Sequence, residues 1–250
     1  GFSIPAAENA ERVASLMKLA PIGPAPLITP AGVVNAAGFS RDIAPLGLVS
    51  AFGTAITNVG GIVEAPSFPL PTGLAGSSVW INEAPAPILA VAKVNGQEQI
   101  NFQAPSTFPL AIIVRNPAGA LGVSPVNAHS LAPAIFVAPD DTAAIQHADY
   151  TLVTRENPAH PGEVVLIYAT GLGAVTPPVA AGFAAPLAPL SHTVETMTVT
   201  IGGVMAPVQF AGLAPGYAGL YQVNVVVPQV TAGDQPVAIR FGAAASIPGH

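Results

Sequence analysis

Apolar and polar residues alternate in short runs along most of this chain. Runs such as Val199-Thr200-Ile201, Val208-Gln209-Phe210 and 221–225 are rich in β-branched or aromatic residues, and glycine or proline bounds each of them. A two-residue period of this kind is typical of strands that are buried on one face. Only residues 10–20 have a helix-like pattern, and their apolar residues fit a strand equally well. The pattern therefore predicts an all-β chain built as β-sandwiches.

An internal repeat divides the chain into two copies of one sandwich. Four segments of the first half match four segments of the second half in the same order: 48–54 with 164–170, 77–89 with 197–210, 99–105 with 222–228, and 108–116 with 235–242. Only the loops between these segments differ in length. We therefore predict an N-terminal arm over residues 1–25, a first sandwich over 26–139 and a second sandwich over 140–250.

Composition narrows the class of protein. Apolar residues make up 51% of the chain and charged residues 8%, whereas disordered chains are rich in charge and poor in apolar residues. The 28 prolines exclude long helices, and the net charge of −6 does not favour nucleic acid as a partner. Proline and glycine interrupt the long uncharged stretches, so no membrane-spanning segment is expected. So much uncharged surface favours contact with other copies of the chain.

Several matched segments also carry a family resemblance. VVNAAGF at 33–39, QINFQAP at 99–105, NPAHPGEVVLIYATGLGAVTPP at 157–178 and the long segment 198–228 resemble the immunoglobulin-like modules found near the C-termini of large secreted proteins of soil bacteria. The resemblance covers about residues 30–245 and implies a secreted, all-β, immunoglobulin-like fold, extracellular or at the cell surface. It implies no chemistry. The N-terminal Gly1-Phe2-Ser3 fits a product whose targeting peptide has been removed.

The second sandwich is expected to lack its closing strand. In the first sandwich, the strand at 111–115 is followed by a turn and by an extended segment over 123–135, which we predict to be the closing strand. The matching strand of the second sandwich is followed by GAAASIPGH. A missing last strand would leave an apolar groove and unpaired backbone groups along the exposed edge. The predicted acceptor edge consists of Val237, Ala238, Ile239, Arg240 and Phe241.

The N-terminal arm is predicted to supply that strand to another molecule. Residues 8–24 resemble the closing segment 124–135, with Val13 on Val126 and Ala20-Pro21-Ile22 near 132–135. In an extended arm, alternate residues share a face. The predicted donor residues are Val13, Ser15, Met17 and Leu19, which would point into the groove, together with Leu16, which would lie at the rim. Donor-strand complementation of this kind predicts a head-to-tail homopolymer, an extracellular pilus-like filament.

Other arrangements and another function stay open on the sequence alone. The C-terminus could be trimmed or partly ordered. The arm could form a short amphipathic helix on its own subunit, or it could fold back into its own second sandwich. A monomeric secreted binding or spacer module, facing carbohydrate, is the alternative function.

No catalytic, cofactor-binding or metal-binding site is predicted. The absence of cysteine excludes thiolate chemistry and disulfides. His147 and Asp149, with Asp140-Asp141, could form an acid–base or metal cluster, but they lie in a connection where polar residues are expected anyway. The glycines at 171–173 are expected to form a turn and not a nucleotide-binding loop. An enzyme is therefore the least favoured function.

Two aromatic residues and one lysine are further candidates for chemistry. Trp80 and Tyr217 could stack on a sugar, but we expect Trp80 in the core and Tyr217 in loop packing. Lys93 beside Asn95 could form an isopeptide cross-link if the geometry allowed it.

Overall fold

A computed structural model of the chain describes residues 23–82, 84–106, 111–137, 142–242 and 244–246. Apart from a turn of 3-10 helix at Pro30–Gly32, the regular structure in these ranges consists of β-strands, which confirms the all-β prediction. Within the same ranges, no helix has the length and apolar composition needed to cross a membrane. The predicted donor residues lie outside the described residues: Val13, Ser15, Leu16, Met17 and Leu19.

The first sandwich consists of two facing sheets of short strands. One sheet has the order β1-β3-β9-β8-β4 and the other has the order β11-β10-β6-β5, with β7 paired to β6 and β12 paired to β2. The bounds are β1 (Val33–Asn35), β2 (Asp42–Ile43), β3 (Leu48–Gly53), β4 (Gly61–Glu64), β5 (Gly73–Leu74), β6 (Ser77–Ile81), β7 (Ala84–Pro85), β8 (Ile88–Val94), β9 (Gln97–Gln103), β10 (Ala111–Arg115), β11 (Leu121–Pro125) and β12 (Asn127–Ala128).

The second sandwich is built in the same way. One sheet has the order β13-β15-β21-β20-β17-β16, with β14 also paired to β15, and the other has the order β19-β18-β22-β23. The bounds are β13 (Ala134–Ile135), β14 (Ile145–His147), β15 (Val164–Thr170), β16 (Val175–Thr176), β17 (His192–Thr193), β18 (Thr198–Ile201), β19 (Val204–Ala206), β20 (Val208–Leu213), β21 (Tyr221–Val226), β22 (Val237–Phe241) and β23 (Ala244–Ala245).

Both sandwiches have the strand order of the immunoglobulin fold, in which strands A, B, E and D form one sheet and strands C, F and G form the other. In the first sandwich, β1-β3-β9-β8 take the A-B-E-D places and β6-β10-β11 take the C-F-G places. In the second, β14-β15-β21-β20 and β18-β22-β23 take the same places. The prediction of two tandem immunoglobulin-like sandwiches is therefore confirmed.

The repeat extends to local irregularities of the backbone. The ladder slips between Ile88 and Ala90 in β8, and it slips between the matched residues Val208 and Phe210 in β20. The cross-strand pair Val49–Phe102 likewise corresponds to Val165–Val225. Matched sequence positions therefore occupy matched places in the two sandwiches.

The structure corrects the sequence alignment of the F strands. Val114 lies opposite Val79, and Ile239 lies opposite Val199. Because Val79 and Val199 are matched in the neighbouring hairpins, Val114 is the counterpart of Ile239. The sequence alignment had placed Ile112 at that position, two residues away.

The segments that lead into the two sandwiches also differ from the prediction. Leu27 bridges Thr54, and Ala134 pairs with Thr170. The counterpart of 132–135 is therefore 25–28, which has the related sequence Ala-Pro-Leu-Ile, and not 20–22. Since β13 pairs with β15 in the second sandwich, the closing segment of the first sandwich ends before Ala134 and not at Ile135. The division at 139/140 stays a prediction.

Each sandwich encloses its own apolar core, to which alternate residues of both sheets contribute. In the first core, Val49 and Ile100 of one sheet pack with Val79 and Ile112 of the other. The second core is formed by the equivalent strands and includes Tyr221. The two-residue period of the sequence thus determines which side chains enter each core.

Candidate functional site

The first sandwich is closed along the whole length of β10. The Asn116 amide holds the turn after β10, because its Nδ2 donates to the carbonyls of Pro24 and Ala55 (both 2.9 Å) and its Oδ1 accepts the Ala120 N–H (2.9 Å). After this turn, β11 pairs with all five residues of β10. β12 then pairs in parallel with β2 of the other side of the sandwich. No residue of β10 lacks a ladder partner on this side.

The corresponding edge of the second sandwich has a much shorter cover. β23 pairs with β22 through Arg240–Ala245 and Phe241–Ala244. The Ser246 N–H donates to the Ile239 carbonyl (2.8 Å), and the Ile239 N–H donates to the Ser246 hydroxyl (3.0 Å). The chain's own residues thus cover one end of an edge that the sequence had predicted to be bare. In the part of the chain that the structure describes, no strand pairs with Val237 or Ala238 on this side.

The predicted acceptor residues all belong to β22. Val237, Ala238, Ile239 and Phe241 are buried, and Arg240 is exposed. The buried residues of this strand belong to the core, so a strand added beside β22 would lie directly over that core. Acceptance of a strand at this edge stays a prediction, because the donor arm lies outside the described residues.

A junction of buried polar contacts joins the two sandwiches. The hydroxyl of Thr170 accepts the N–H of Leu48 from the first sandwich (2.9 Å) and donates to the Gly219 carbonyl (3.0 Å). Thr170 is 0% exposed. Because neither backbone group can reach water there, the hydroxyl is the partner of both, and its bond with Leu48 crosses the junction.

Gln103 makes a second link across the junction. Its Nε2 donates to the Leu46 carbonyl (2.9 Å), and its Oε1 accepts the N–H of Gly182 from the second sandwich (2.7 Å). The Gly182 carbonyl in turn accepts the Leu70 N–H (2.7 Å). Buried groups paired in this way oppose any change in the angle between the sandwiches, since a shift would leave them unpaired.

Two glycines allow the backbones to approach closely at this junction. A Cβ atom at Gly171 would lie 2.1 Å from the Ala132 carbonyl oxygen, and one at Gly219 would lie 2.7 Å from Leu48 Cδ2. Both residues also have positive φ angles, +74° and +67°, which favour glycine. The structure shows no turn at 171–173, so that prediction is not confirmed, and the first glycine of the segment serves the junction.

Sequence reasoning did not identify the junction. The one feature of the sequence that points to the junction is a threonine at the end of both matched segments, Thr54 in 48–54 and Thr170 in 164–170. Thr54 is exposed, whereas Thr170 is buried. The repeat therefore identifies the two matched threonines, but it does not show which of them is buried.

His147 bonds to Glu163 and not to Asp149. Its Nδ1 lies 2.8 Å from Glu163 Oε1 and its Nε2 lies 3.2 Å from the Asn157 carbonyl, while Asp149 accepts bonds from Thr151. Burial acts to lower the pKa of His147, but the Asn157 carbonyl and Glu163 outweigh it and raise the pKa above 6.5. Among the residues that the structure describes, no three metal-binding side chains come together. Asp140 and Asp141 lie outside these residues.

Lys93 pairs with Glu98. Its Nζ lies 2.9 Å from Glu98 Oε1, and the other oxygen, Oε2, accepts the N–H groups of Ile56 (2.8 Å) and Thr57 (3.2 Å). Burial acts to raise the pKa of Glu98, but the bonds from Lys93, Thr57 and Ile56 outweigh it and hold the pKa below its ordinary value. The pair fastens the loop after β3 to the β8–β9 hairpin.

Trp80 lies on the outer face of its sheet, so the prediction of a core position was wrong. Its side chain is 39% exposed, and the register places Ile113 on one side of it and Pro85 on the other. Val79 and Ile81 occupy inward positions of β6, so the residue between them must face outward. Tyr217 lies in a loop and is also exposed.

Comparison with known proteins gives little further information. No protein-family model matches the chain, and a search of curated proteins returns no match. Among solved structures, domains 4–9 of the surface layer protein SbsC are 11% identical, with a TM-score of 0.25 over 92% of this chain and 31% of that one. The I9–I11 tandem of titin is 10% identical, with a TM-score of 0.20 over 82% of this chain and 59% of that one. The chain thus spans less than two thirds of either neighbour.

Proposed function

We propose that this chain is a structural subunit of an extracellular filament in which copies join head to tail by donor-strand complementation. The N-terminal arm of one copy completes the second sandwich of the next. The proposal is carried by the difference between the two closing edges. Among the residues that the structure describes, β11 pairs with all five residues of β10 and β12 extends the closure, whereas β23 pairs with Arg240 and Phe241 of β22 and Ser246 bonds to Ile239.

The junction between the sandwiches supports a structural role. Its buried hydrogen bonds through Thr170 and Gln103 hold the two sandwiches in one orientation. A filament needs subunits of constant shape, because an error in angle accumulates along a linear array. The extracellular location is proposed from the resemblance to secreted modules.

The corrected repeat supports a specific register for the arm. In the first sandwich, the closing strand leads into the next sandwich through Ala132-Pro133, and the counterpart of this dipeptide is Ala25-Pro26. Counting back from the two dipeptides assigns each arm residue a counterpart in the closing segment: Val13 to Ala120, Ser15 to Gly122, Met17 to Ser124 and Leu19 to Val126. These counterparts are buried or half-buried, so the inward donors predicted from the pattern take inward places.

The same register gives a place to Leu16. Its counterpart is Val123, which is exposed on the outer face of the first sandwich. The closing strand of the first sandwich thus already has an exposed apolar residue at this position. An exposed Leu16 is therefore compatible with a strand.

A donor strand in this register displaces β23 and adds apolar side chains beyond its end. Val13 and Ala14 take the places of Ala244 and Ala245, and Met17 and Leu19, which have no counterpart in β23, each contribute about 1.5–3 kcal/mol when fully buried. The donor also extends the ladder to Val237 and Ala238, where each new hydrogen bond adds about 0.5–1.5 kcal/mol net. Exchange of the short cover for a donor strand is therefore favourable once copies are concentrated enough to meet.

Engineered cysteines test this register, because the chain has no cysteine of its own. Ser124 lies opposite Ile112 in the first sandwich, and the counterpart pair between two copies is Met17 and Val237. The variant with Met17→Cys and Val237→Cys should form a ladder of disulfide-linked chains under mild oxidation, seen on a non-reducing gel. The variant with Leu16→Cys and Val237→Cys is the matched control, and it should cross-link far less because residue 16 faces the other way.

The outcome of this experiment separates strand donation from the other arrangements. Disulfides confined within single chains would mean that the arm folds back on its own second sandwich. Equal cross-linking of the two variants would mean that the arm is not a strand in this register. Either result contradicts the proposal.

A second candidate function is a monomeric secreted binding or spacer module that faces carbohydrate. The exposed indole of Trp80, between Ile113 and Pro85 on an outer face, favours it, because sugars stack on such faces. Binding to soluble glycans that is lost in Trp80→Ala, by a protein that sediments as a monomer at high concentration, would support this function. The same result would contradict the filament.

A further inference from the structure

The junction inside the chain joins two surfaces, and each has a counterpart elsewhere in the chain whose residues are more exposed. The head surface of a sandwich is defined as the end that faces the preceding sandwich, and the tail surface is the opposite end. The head surface of the second sandwich contains Ala132, Ala134, Thr170 and Gly219, and the matched head surface of the first contains Ala25, Leu27, Thr54 and Gly96. The tail surface of the first sandwich contains Leu48, Pro87, Ile88 and Gln103, and the matched tail surface of the second contains Val164, Pro207, Val208 and Val226.

The two head surfaces differ in exposure although their residues correspond. Thr170, Ala132 and Gly219 are buried at the junction, whereas their counterparts on the first sandwich are exposed. Ala134 is 4% exposed, whereas its counterpart Leu27 is 64% exposed. The head surface of the first sandwich therefore presents a larger apolar side chain than the one that the junction covers.

The two tail surfaces differ in the same direction. Ile88 is 0% exposed because it belongs to the core of its own sandwich, whereas its counterpart Val208 is 37% exposed. Pro87 is buried against Gly182, whereas Pro207 is exposed. Gln103 is buried, and its position holds the half-buried, apolar Val226 in the second sandwich. The free tail surface is thus more apolar than the covered one, as a surface that meets another protein would be.

We infer that the occupant of both surfaces is a second copy of this chain, whose head surface packs on the tail surface of the first as the two sandwiches of one chain pack on each other. The inference rests on the proposed head-to-tail assembly and specifies which surfaces of the sandwiches are in contact between two copies. In this arrangement the Thr54 hydroxyl of one copy accepts the N–H of Val164 of the next, as Thr170 accepts the N–H of Leu48. Leu27 and Val226 take the positions that Ala134 and Gln103 hold in the internal junction, where Ala134 lies against Gly38 and Gln103 lies against Gly219.

Two contacts of the internal junction are not repeated between copies. Asn35, whose Nδ2 donates to the Ala132 carbonyl (3.1 Å), has His147 as its counterpart, and that ring already bonds Glu163 and Asn157. Gly182 lies in a loop without a matched segment in the first sandwich. The contact between copies therefore depends more on apolar packing, and the contact within the chain depends more on hydrogen bonds.

Charged substitutions in the full chain test the two surfaces. Leu27→Asp on the head and Val208→Asp on the tail should each weaken self-association by at least about tenfold, measured by sedimentation velocity over a range of concentrations. Val123→Asp and Ile62→Asp are matched controls, because these side chains are 62% and 63% exposed and lie within β11 and β4, outside the residues of either surface. The controls should associate like the unaltered chain, and circular dichroism checks that every variant is folded.

Mixing the two surface variants gives a stricter test. Leu27→Asp keeps an intact tail and Val208→Asp keeps an intact head, so the mixture should form a one-to-one complex and nothing larger. Equal weakening by the controls, or longer polymers in the mixture, would overturn the inference.

The inference and the proposed strand donation fail in different ways. If Met17→Asp abolishes assembly while Leu27→Asp and Val208→Asp do not, strand donation stands and the packing of folded ends is wrong. If the two surface variants abolish assembly and Met17→Asp does not, the packing stands and strand donation is wrong. An unaltered chain that stays monomeric at every concentration contradicts both.

Discussion

Thr170 offers the clearest measure of how strongly the two sandwiches are coupled. Thr170→Val keeps the shape of the side chain but removes the hydroxyl that serves Leu48 and Gly219. Each buried backbone group left without a partner costs about 1–3 kcal/mol. Since both groups lose their partner, the free energy of unfolding should fall by about 2–6 kcal/mol, which is a large part of the 5–15 kcal/mol typical of a domain.

The repeat provides a matched control for this experiment. Thr54 has the equivalent position on the first sandwich, where it is exposed. Thr54→Val should change the free energy of unfolding by no more than about 0.5 kcal/mol. Both variants are compared with the unaltered chain by urea denaturation, followed by circular dichroism at a concentration low enough to keep the protein monomeric.

The difference between the two variants decides the outcome. A loss confined to Thr170→Val would support coupling through the buried hydroxyl. If Thr170→Val and Thr54→Val have equal effects, Leu48 and Gly219 find other partners and the Thr170 hydroxyl does not hold the junction.

Three other properties follow from the structure. Glu98→Ala should lower the free energy of unfolding by about 3 kcal/mol, because the N–H groups of Ile56 and Thr57 lose a charged acceptor. The pKa of Glu98 is lowered in the folded protein, so the stabilisation by this carboxylate is present at neutral pH and is lost as the pH falls through the folded-state pKa. Urea denaturation at neutral and acidic pH should show the loss in the unaltered chain and a weaker pH dependence in the variant. The pKa of His147 is raised, so its contribution to stability has the opposite pH dependence: it is complete below pH 6.5 and declines as the pH rises through the folded-state pKa. An NMR titration that finds this ring titrating below 6.5 would contradict the bond to Glu163. Trp80 is the only tryptophan of the chain, and its fluorescence should be readily quenched by iodide in the folded protein, whereas resistance to quenching would mean a covered indole.

Much of the fold was predictable because strand patterns are local. Val79 and Ile81 alternate with Ser78 and Trp80, and this alternation alone determines which side chains face the core. Trp80 was misplaced because a large aromatic residue was assigned to the core by type and not by its place in the alternation. The F strand was misaligned by two residues for a related reason, since a shift of two positions keeps every side chain on the same face and the apolar pattern cannot detect it.

The closing edge shows a different kind of miss. Ala244 and Ala245 have little strand propensity, and the sequence predicted no strand there. They pair with β22 because the turn after Phe241 brings them beside an edge that has free backbone groups. Hydrogen bonding to an available edge outweighs weak local preference in so short a segment.

The amino-acid pattern alone predicted an all-β protein, two copies of one sandwich and, apart from Trp80, the inward-facing residues of the matched strands. These properties depend on the two-residue period and on similarity between segments, both of which are carried by neighbouring residues. The tertiary structure was needed to show that Thr170 is buried while Thr54 is exposed, and that Leu27 is exposed on the head surface while Ala134 is covered. Burial at these positions depends on whether another sandwich packs against them, and no pattern within either segment contains that information.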